Sequence, residues 1–256
     1  MTNGHIAAAE RDLWPALRRH TQARIGLGRA GSGLPTRHRL ELQAAHAAAR
    51  DAVHSPFRPD LVAEALRGEP TVRVRSAAPD RPTYLQRPDL GRRLDATDRA
   101  YLPVGEWDVV FVVADGLSSR AVHEHGAAMV RATTALLPTV WRVAPVVLAE
   151  QARVALGDDV ASAMGAEMVV VFVGERPGMS AADSLGAYLT YRPEPGVTTD
   201  ASRNCLSNIR PPSGMAYEVA AGKLAGLMGR ARELGATGVG LKDEADAPGP
   251  RPVAAG

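Results

Sequence analysis

A single cysteine, Cys205, stands in 256 residues, so no disulfide can form within the chain. A lone thiol predicts a reducing compartment, the cytoplasm, and stability drawn from packing. Aromatic residues make up only 4% and lysine is nearly missing, with Lys223 and Lys242 alone among 30 basic residues. The arginines are scattered along the chain (Arg18, Arg39, Arg73, Arg92, Arg142, Arg230). Without stacking rings or a basic stripe, a nucleic-acid platform is not expected. No apolar run approaches the roughly 20 residues that a membrane-spanning helix requires. Met1 to Glu10 also lacks the basic-then-apolar layout of a signal peptide, so no membrane partner is expected. What is present is 45% hydrophobic content, enough for one large or two modest domains with a genuine core.

Two regions are predicted from patterning. Residues 1–56 read as a helical arm: Leu13 to Ile25 as a helix ending at Gly26, a Gly-rich turn, and a long Ala-rich helix over Arg37 to Val53 capped by Thr36. Residues 57–244 read as an α/β domain, and the Ala/Pro/Gly-rich 245–256 as a disordered tail. In the second region Leu61 to Leu66 predicts a short helix, Thr71 to Arg75 a strand by alternation, and Pro79 to Leu94, with three prolines and a glycine, a loop. From Trp107 onward the pattern cycles strand and helix. Strands are predicted over Asp108 to Ala114, Trp141 to Leu148 and Glu167 to Val173, helices over Ser118 to Leu136, Asp158 to Met164 and Ser213 to Leu234. A short helix and strand are expected in Ala182 to Tyr191 and a last strand at Val239 to Leu241. Continuous apolar strands alternating with helices predict a Rossmann-like, doubly wound, mostly parallel sheet, whose ligands sit beyond the carboxyl ends of the strands.

Three polar segments fall at such ends. Asp115-Gly116-Leu117-Ser118-Ser119 follows a strand and opens a helix, where Ser118 reads first as a cap and second as a ligand contact beside Asp115. Gly174-Glu175-Arg176-Pro177-Gly178 ends another strand, and the Glu175 carboxylate there needs a partner, either Arg176 or donors on a ligand. The run from Ser202 to Pro212 is rich in donors: Asn204, Ser207 and Asn208 suit the amides of a large neutral ligand, and Cys205 offers a small apolar contact. The alternative for this run is a turn with a buried thiol. No histidine can be tied to Cys205, so a nucleophilic role is not expected. His46 with His54 and His123 with His125 supply no zinc-like ligand set and read as solvated or packed. Gly26, Gly28 and Gly31 formally match a dinucleotide fingerprint, yet a helix precedes them where a strand is needed, so the match is weak.

Taken together these blocks resemble the light chain of ethanolamine ammonia-lyase. The resemblance rests on Arg24 to Gly31 with Leu34-Pro35-Thr36-Arg37, Ala49 to His54, Val113 to Ser119, Gly174 to Gly178, Asp183-Ser184-Leu185 and Arg203 to Ile209, in that order along the chain. It implies a hetero-oligomer in which a larger barrel-shaped subunit carries the substrate site and adenosylcobalamin lies between the two chains. By matching motif, the implied cofactor contacts are Val154, Glu175 and Cys205, with no catalytic residue in this chain. The implied reaction converts ethanolamine to acetaldehyde and ammonia by radical chemistry that the cofactor supplies. The Asp-x-His-x-x-Gly signature of base-off cobalamin binding is missing, so the resemblance implies no cobalt ligand from this chain. It implies a cytoplasmic complex and leaves open enclosure in a bacterial microcompartment. Two other readings compete: a nucleotide-binding oxidoreductase, resting on Gly26 to Gly31, and a non-catalytic assembly protein, resting on the arm.

Overall fold

The computed structural model describes residues 13–243, so the predicted tail and the first twelve residues lie outside the described part. The arm holds α1 (Trp14–Leu17), one 3-10 turn (Arg18–His20) and α2 (Thr36–His54). The predicted helix to Ile25 stops early because Arg18 folds back: its guanidinium donates to the carbonyls of Ile25 and Gly26, while Thr21 is already extended. Gly26 takes a positive φ of 58° and lies against the Trp14 indole where a Cβ would collide, which explains the glycine without any phosphate site. At α2 the cap position belongs to Pro35, and Thr36 is the first helical residue, with no side-chain cap.

The rest of the chain runs α3 (Pro59–Ala65), β1 (Thr71–Arg75), α4 (Arg81–Gln86), α5 (Pro88–Gly91), α6 (Ala96–Arg99) and β2 (Trp107–Ala114). It continues with α7 (Ser119–Ala121), a π turn (Val122–Gly126), α8 (Ala127–Thr134), β3 (Val146–Glu150), α9 (Leu156–Met164) and β4 (Ala166–Gly174). β5 (Leu185–Tyr191), a 3-10 turn (Asp200–Ser202), β6 (Asn204–Ile209) and α10 (Tyr217–Leu234) complete it. The six strands form one sheet in the order β1-β3-β2-β4-β5-β6. The first three pairings are parallel, and β4–β5 and β5–β6 are antiparallel. A mostly parallel sheet with helices on both sides is therefore found.

β2 and β4 are buried along almost their whole length, which is why their sequences are unbroken apolar runs. Val109, Phe111 and Val113 pack with Met168, Val170 and Phe172 toward α3, α8 and α10; Val110, Val112 and Ala114 pack with Val169, Val171 and Val173 toward α9. Each buried aliphatic or aromatic side chain stabilises the fold by roughly 1.5–3 kcal/mol. The chain leaves β2 to one side for β3 and returns past it to β4 on the other. That reversal opens a crevice beyond the carboxyl ends of β2 and β4.

Several sequence expectations need correction. Pro79 to Leu94 is not a plain loop: Asp80 caps α4 by accepting from the Thr83 N–H at 2.8 Å, and Pro82 and Pro88 sit in first turns, where no N–H is needed. β3 begins at Val146, after Pro145, which has no N–H to give a ladder, and not at Trp141. No helix precedes β5, the long last helix starts at Tyr217 and not at Ser213, and Val239 to Leu241 form no strand. The polar run before α10 is itself an edge strand, β6, and not a connection.

Candidate functional site

At the crevice the exits of β2 and β4 are stitched together. The Leu117 N–H donates to the Gly174 carbonyl at 2.8 Å, and Gly116, at φ 55°, approaches that carbonyl so closely that a Cβ would clash. A cavity of about 320 Å³ opens here, lined by Tyr84, Leu117, Arg153, Val154, Glu175, Arg176 and Tyr188 among others. Register carries Cys205 to its edge, since β6 pairs Cys205 directly with Tyr188. Strand alternation then puts Cys205 and Ser207 on the cavity side, and Leu206 in the opposite core. Val154, Glu175 and Arg176 thus line one cavity at the end of the sheet, and Cys205 stands beside its Tyr188 wall, three residues in from that end along β4.

Glu175 does not use Arg176 as its partner. Its carboxylate accepts from the Ser184 hydroxyl, from the Ser207 hydroxyl at 2.5 Å and from the Asn208 N–H at 3.3 Å. Asn208 reaches it with a left-handed backbone, φ 60°. A carboxylate offers about four acceptor directions, so one remains for an incoming donor. Arg176 is exposed at the cavity rim. Cys205 is exposed along the edge strand and is not the buried thiol of a turn, yet its sulfur lies against Tyr188: desolvation there raises the thiol, the Tyr188 hydroxyl opposes the rise and the Glu175 charge adds to it. The Tyr188 hydroxyl is likewise pushed up by burial.

Other expected contacts are spent on the fold. Ser118 caps α7 by accepting from the Ala121 N–H at 3.2 Å and donates to the Ala182 carbonyl at 2.7 Å. Asn204 faces away from the cavity, clamping Gly238 and Leu241 through three hydrogen bonds. Asp115 is 2% exposed, accepts from the Ala152 N–H at 3.0 Å and pairs with Arg81 at 3.2 Å. Burial dominates over that pairing and pushes its carboxyl up to about 6.

Residues that sequence reasoning passed over hold the walls. Arg81 donates to the carbonyls of Val53 and Gly116 at 2.8 Å each, tying the arm to the β2 exit. Arg81 and Arg153 cover the Tyr84 ring at 4.8 and 4.7 Å, and so fix the segment that presents Val154. The helix-start pattern Asp80-Arg81-Pro82-Thr83 was the available signal. Arg203 makes a bidentate pair with Asp158, both bonds 2.7 Å and both side chains 2% exposed, anchoring β6 to α9. On the other face, Glu124, His125 and Asp183 bring one ligand atom each within 4.8 Å of one another.

The family model of the ethanolamine ammonia-lyase light chain (EutC) matches residues 11–242. The chain is similar to a protein of Ralstonia nicotianae named ethanolamine ammonia-lyase small subunit, 50% identical over 251 residues, covering 94% of this chain and 92% of that one. Proteins of the same name match from Xanthomonas campestris pv. campestris strain B100, 51% identical over 247 residues (93% and 90% covered), and from Rhodococcus erythropolis, 49% identical over 236 residues (91% and 90% covered).

Proposed function

Because the chain belongs to the ethanolamine ammonia-lyase light-chain family, we propose that it is the small subunit of an adenosylcobalamin-dependent ammonia-lyase. It holds the cofactor at its interface with a larger, barrel-shaped subunit. The observation that carries this reading is a cavity lined by Val154, Glu175 and Arg176, with Cys205 paired to its Tyr188 wall.

The chemistry of these side chains fits the cofactor. A corrin is a broad apolar ring edged with neutral amides: Val154, Leu117 and the Tyr188 ring give it an apolar floor, and the unfilled acceptor direction of Glu175 suits an amide N–H. Three internal donors hold the Glu175 carboxylate in place, so little side-chain freedom is lost on binding. Cys205, small at an exposed strand position, leaves room for the ring edge. The cavity of about 320 Å³ covers only part of so large a ligand, and the remaining wall belongs to another chain. α2 supplies a surface for that chain: of its nineteen residues only Ala52 is buried, and Leu34, Leu40 and Leu42 are exposed on and beside it.

Bound adenosylcobalamin supplies the radical by which the complex converts ethanolamine to acetaldehyde and ammonia. The residues of this chain bind and orient it and screen one face from water; none acts on the substrate, and none ligates cobalt. The direct test mixes the full chain with its large partner and adenosylcobalamin and measures acetaldehyde and the radical signal. Activity is expected only with both chains, and equal activity without this one overturns the reading.

A further inference from the structure

Between α7 and α8 the helix widens into one π turn, Val122–Gly126. Such turns insert a residue and re-aim side chains, and they are frequent at functional sites. Here the turn drives His125 inward to 5% exposure, with its Nδ1 2.7 Å from the Tyr217 hydroxyl at the start of α10. Nε2 of His125 is buried with no hydrogen-bond partner and faces Glu124 Oε2 at 3.9 Å. The connection between β4 and β5 brings the Asp183 carboxylate to the same place, so that the three ligand atoms lie within 4.8 Å of one another.

Each of these ligands already has an outer partner that leaves an atom toward the centre. Arg120 donates to Glu124 Oε1 at 2.7 Å and leaves Oε2 facing His125. Arg210 lies 3.5 Å from Asp183 Oδ1 and leaves the second oxygen. If the Tyr217 oxygen accepts from Nδ1–H, the lone pair of His125 sits on Nε2, the arrangement by which metal-binding imidazoles are fixed. A packed histidine explains the Tyr217 bond but leaves Nε2 buried beside the Glu124 carboxylate without a hydrogen bond.

We propose that Glu124, His125 and Asp183 form a binding site for one zinc ion, completed by water. Zinc takes imidazole nitrogen and carboxylate oxygen at about 2.0–2.2 Å, so the ligand atoms need to close by roughly an ångström. The Glu124 and Asp183 side chains, 40% and 24% exposed, are free to swing that far, while His125 is fixed. The ion ties the π turn to the β4–β5 connection, which the Ser118 bond to Ala182 fastens only to the residue before α7. None of the three residues lines the cofactor cavity, although Asp183 directly precedes Ser184, which donates to the Glu175 carboxylate.

The test is calorimetric titration of the full, chelator-treated chain with zinc chloride, paired with a melting curve. One ion per chain and a rise in melting temperature are expected. Glu124→Gln, at an exposed position, and Asp183→Asn each weaken binding by about tenfold or more, and His125→Ala abolishes it. Tyr217→Phe, which keeps the ring and removes the outer partner, weakens it by about tenfold. No one-to-one binding in the wild type overturns the site. So does wild-type affinity in Glu124→Gln and Asp183→Asn, which also decides the matter if His125→Ala fails to fold.

Discussion

Glu175 is held by three donors from two other segments, so its substitution is a local experiment on the site. Glu175→Gln keeps the shape but brings an amide among donors and loses the charge. It is expected to lower cofactor affinity of the assembled complex by about tenfold, in line with roughly 1.5–3 kcal/mol for hydrogen bonds to a charged group. Unchanged affinity in a titration of the complex would move the cofactor away from Glu175. Asp115 carries a different prediction. Its folded carboxyl is raised to about 6 from 3.8, so between those values the folded state binds more protons than the unfolded state. Its contribution to stability is therefore largest below about pH 4 and is lost as the pH rises through about 6. Asp115→Asn removes that loss: denaturant unfolding at pH 4.5 and pH 7 should show the variant gaining on the wild type at the higher pH. Parallel pH curves would contradict a buried, reluctantly ionised Asp115.

At the scale of elements, β6 depends on a buried ion pair. Arg203, the residue before the strand, holds Asp158 of α9 and also donates to Thr190 of β5 at 2.8 Å. Arg203→Ala strands the Asp158 carboxylate and should cost about 3–5 kcal/mol, read as a lower midpoint in denaturant unfolding. A cost under about 1 kcal/mol would mean the pair is not buried as described. β6 was also the element hardest to see in the sequence. β2 and β4 are legible because burial on both faces demands unbroken valine runs, and Thr71 to Arg75 because alternation marks a half-covered strand. Asn204 to Ile209 has neither signal: it is an edge, and its polar residues serve Gly238 and Glu175 through contacts far apart in sequence. The same holds for the site. Its loops could be placed at strand ends from the sequence, but the Ser207–Glu175 bond and the packing of Arg153 on Tyr84 depend on tertiary proximity alone. The helix at Leu13 to Ile25 misled for the converse reason, since its apolar spacing is real but Arg18 satisfies the carbonyls at its end.

For the whole molecule, the arm and the sheet are linked at few points. Gln22 and Arg24 bond to Ser213, Arg210 and Met179, and Arg81 reaches back to Val53. Most of α2 faces outward, and Leu40 is 59% exposed. Leu40→Glu should leave the melting temperature of the isolated chain within about 2 °C of the wild type, as surface changes stay within roughly 0.5 kcal/mol. It should weaken association with the large subunit in light scattering; unaltered association would remove α2 from the interface. None of the described helices is long and apolar enough to cross a membrane. The central claim concerns the carboxyl end of the sheet as one wall of a cobalamin site, and Cys205 tests it most directly because it is small, exposed and paired with the Tyr188 wall of the cavity. Equilibrium binding of adenosylcobalamin to the assembled complex should be weakened at least about tenfold by Cys205→Trp and little by Cys205→Ser, since only the first fills the space the ring edge needs. Equal affinities for the two variants would contradict the account.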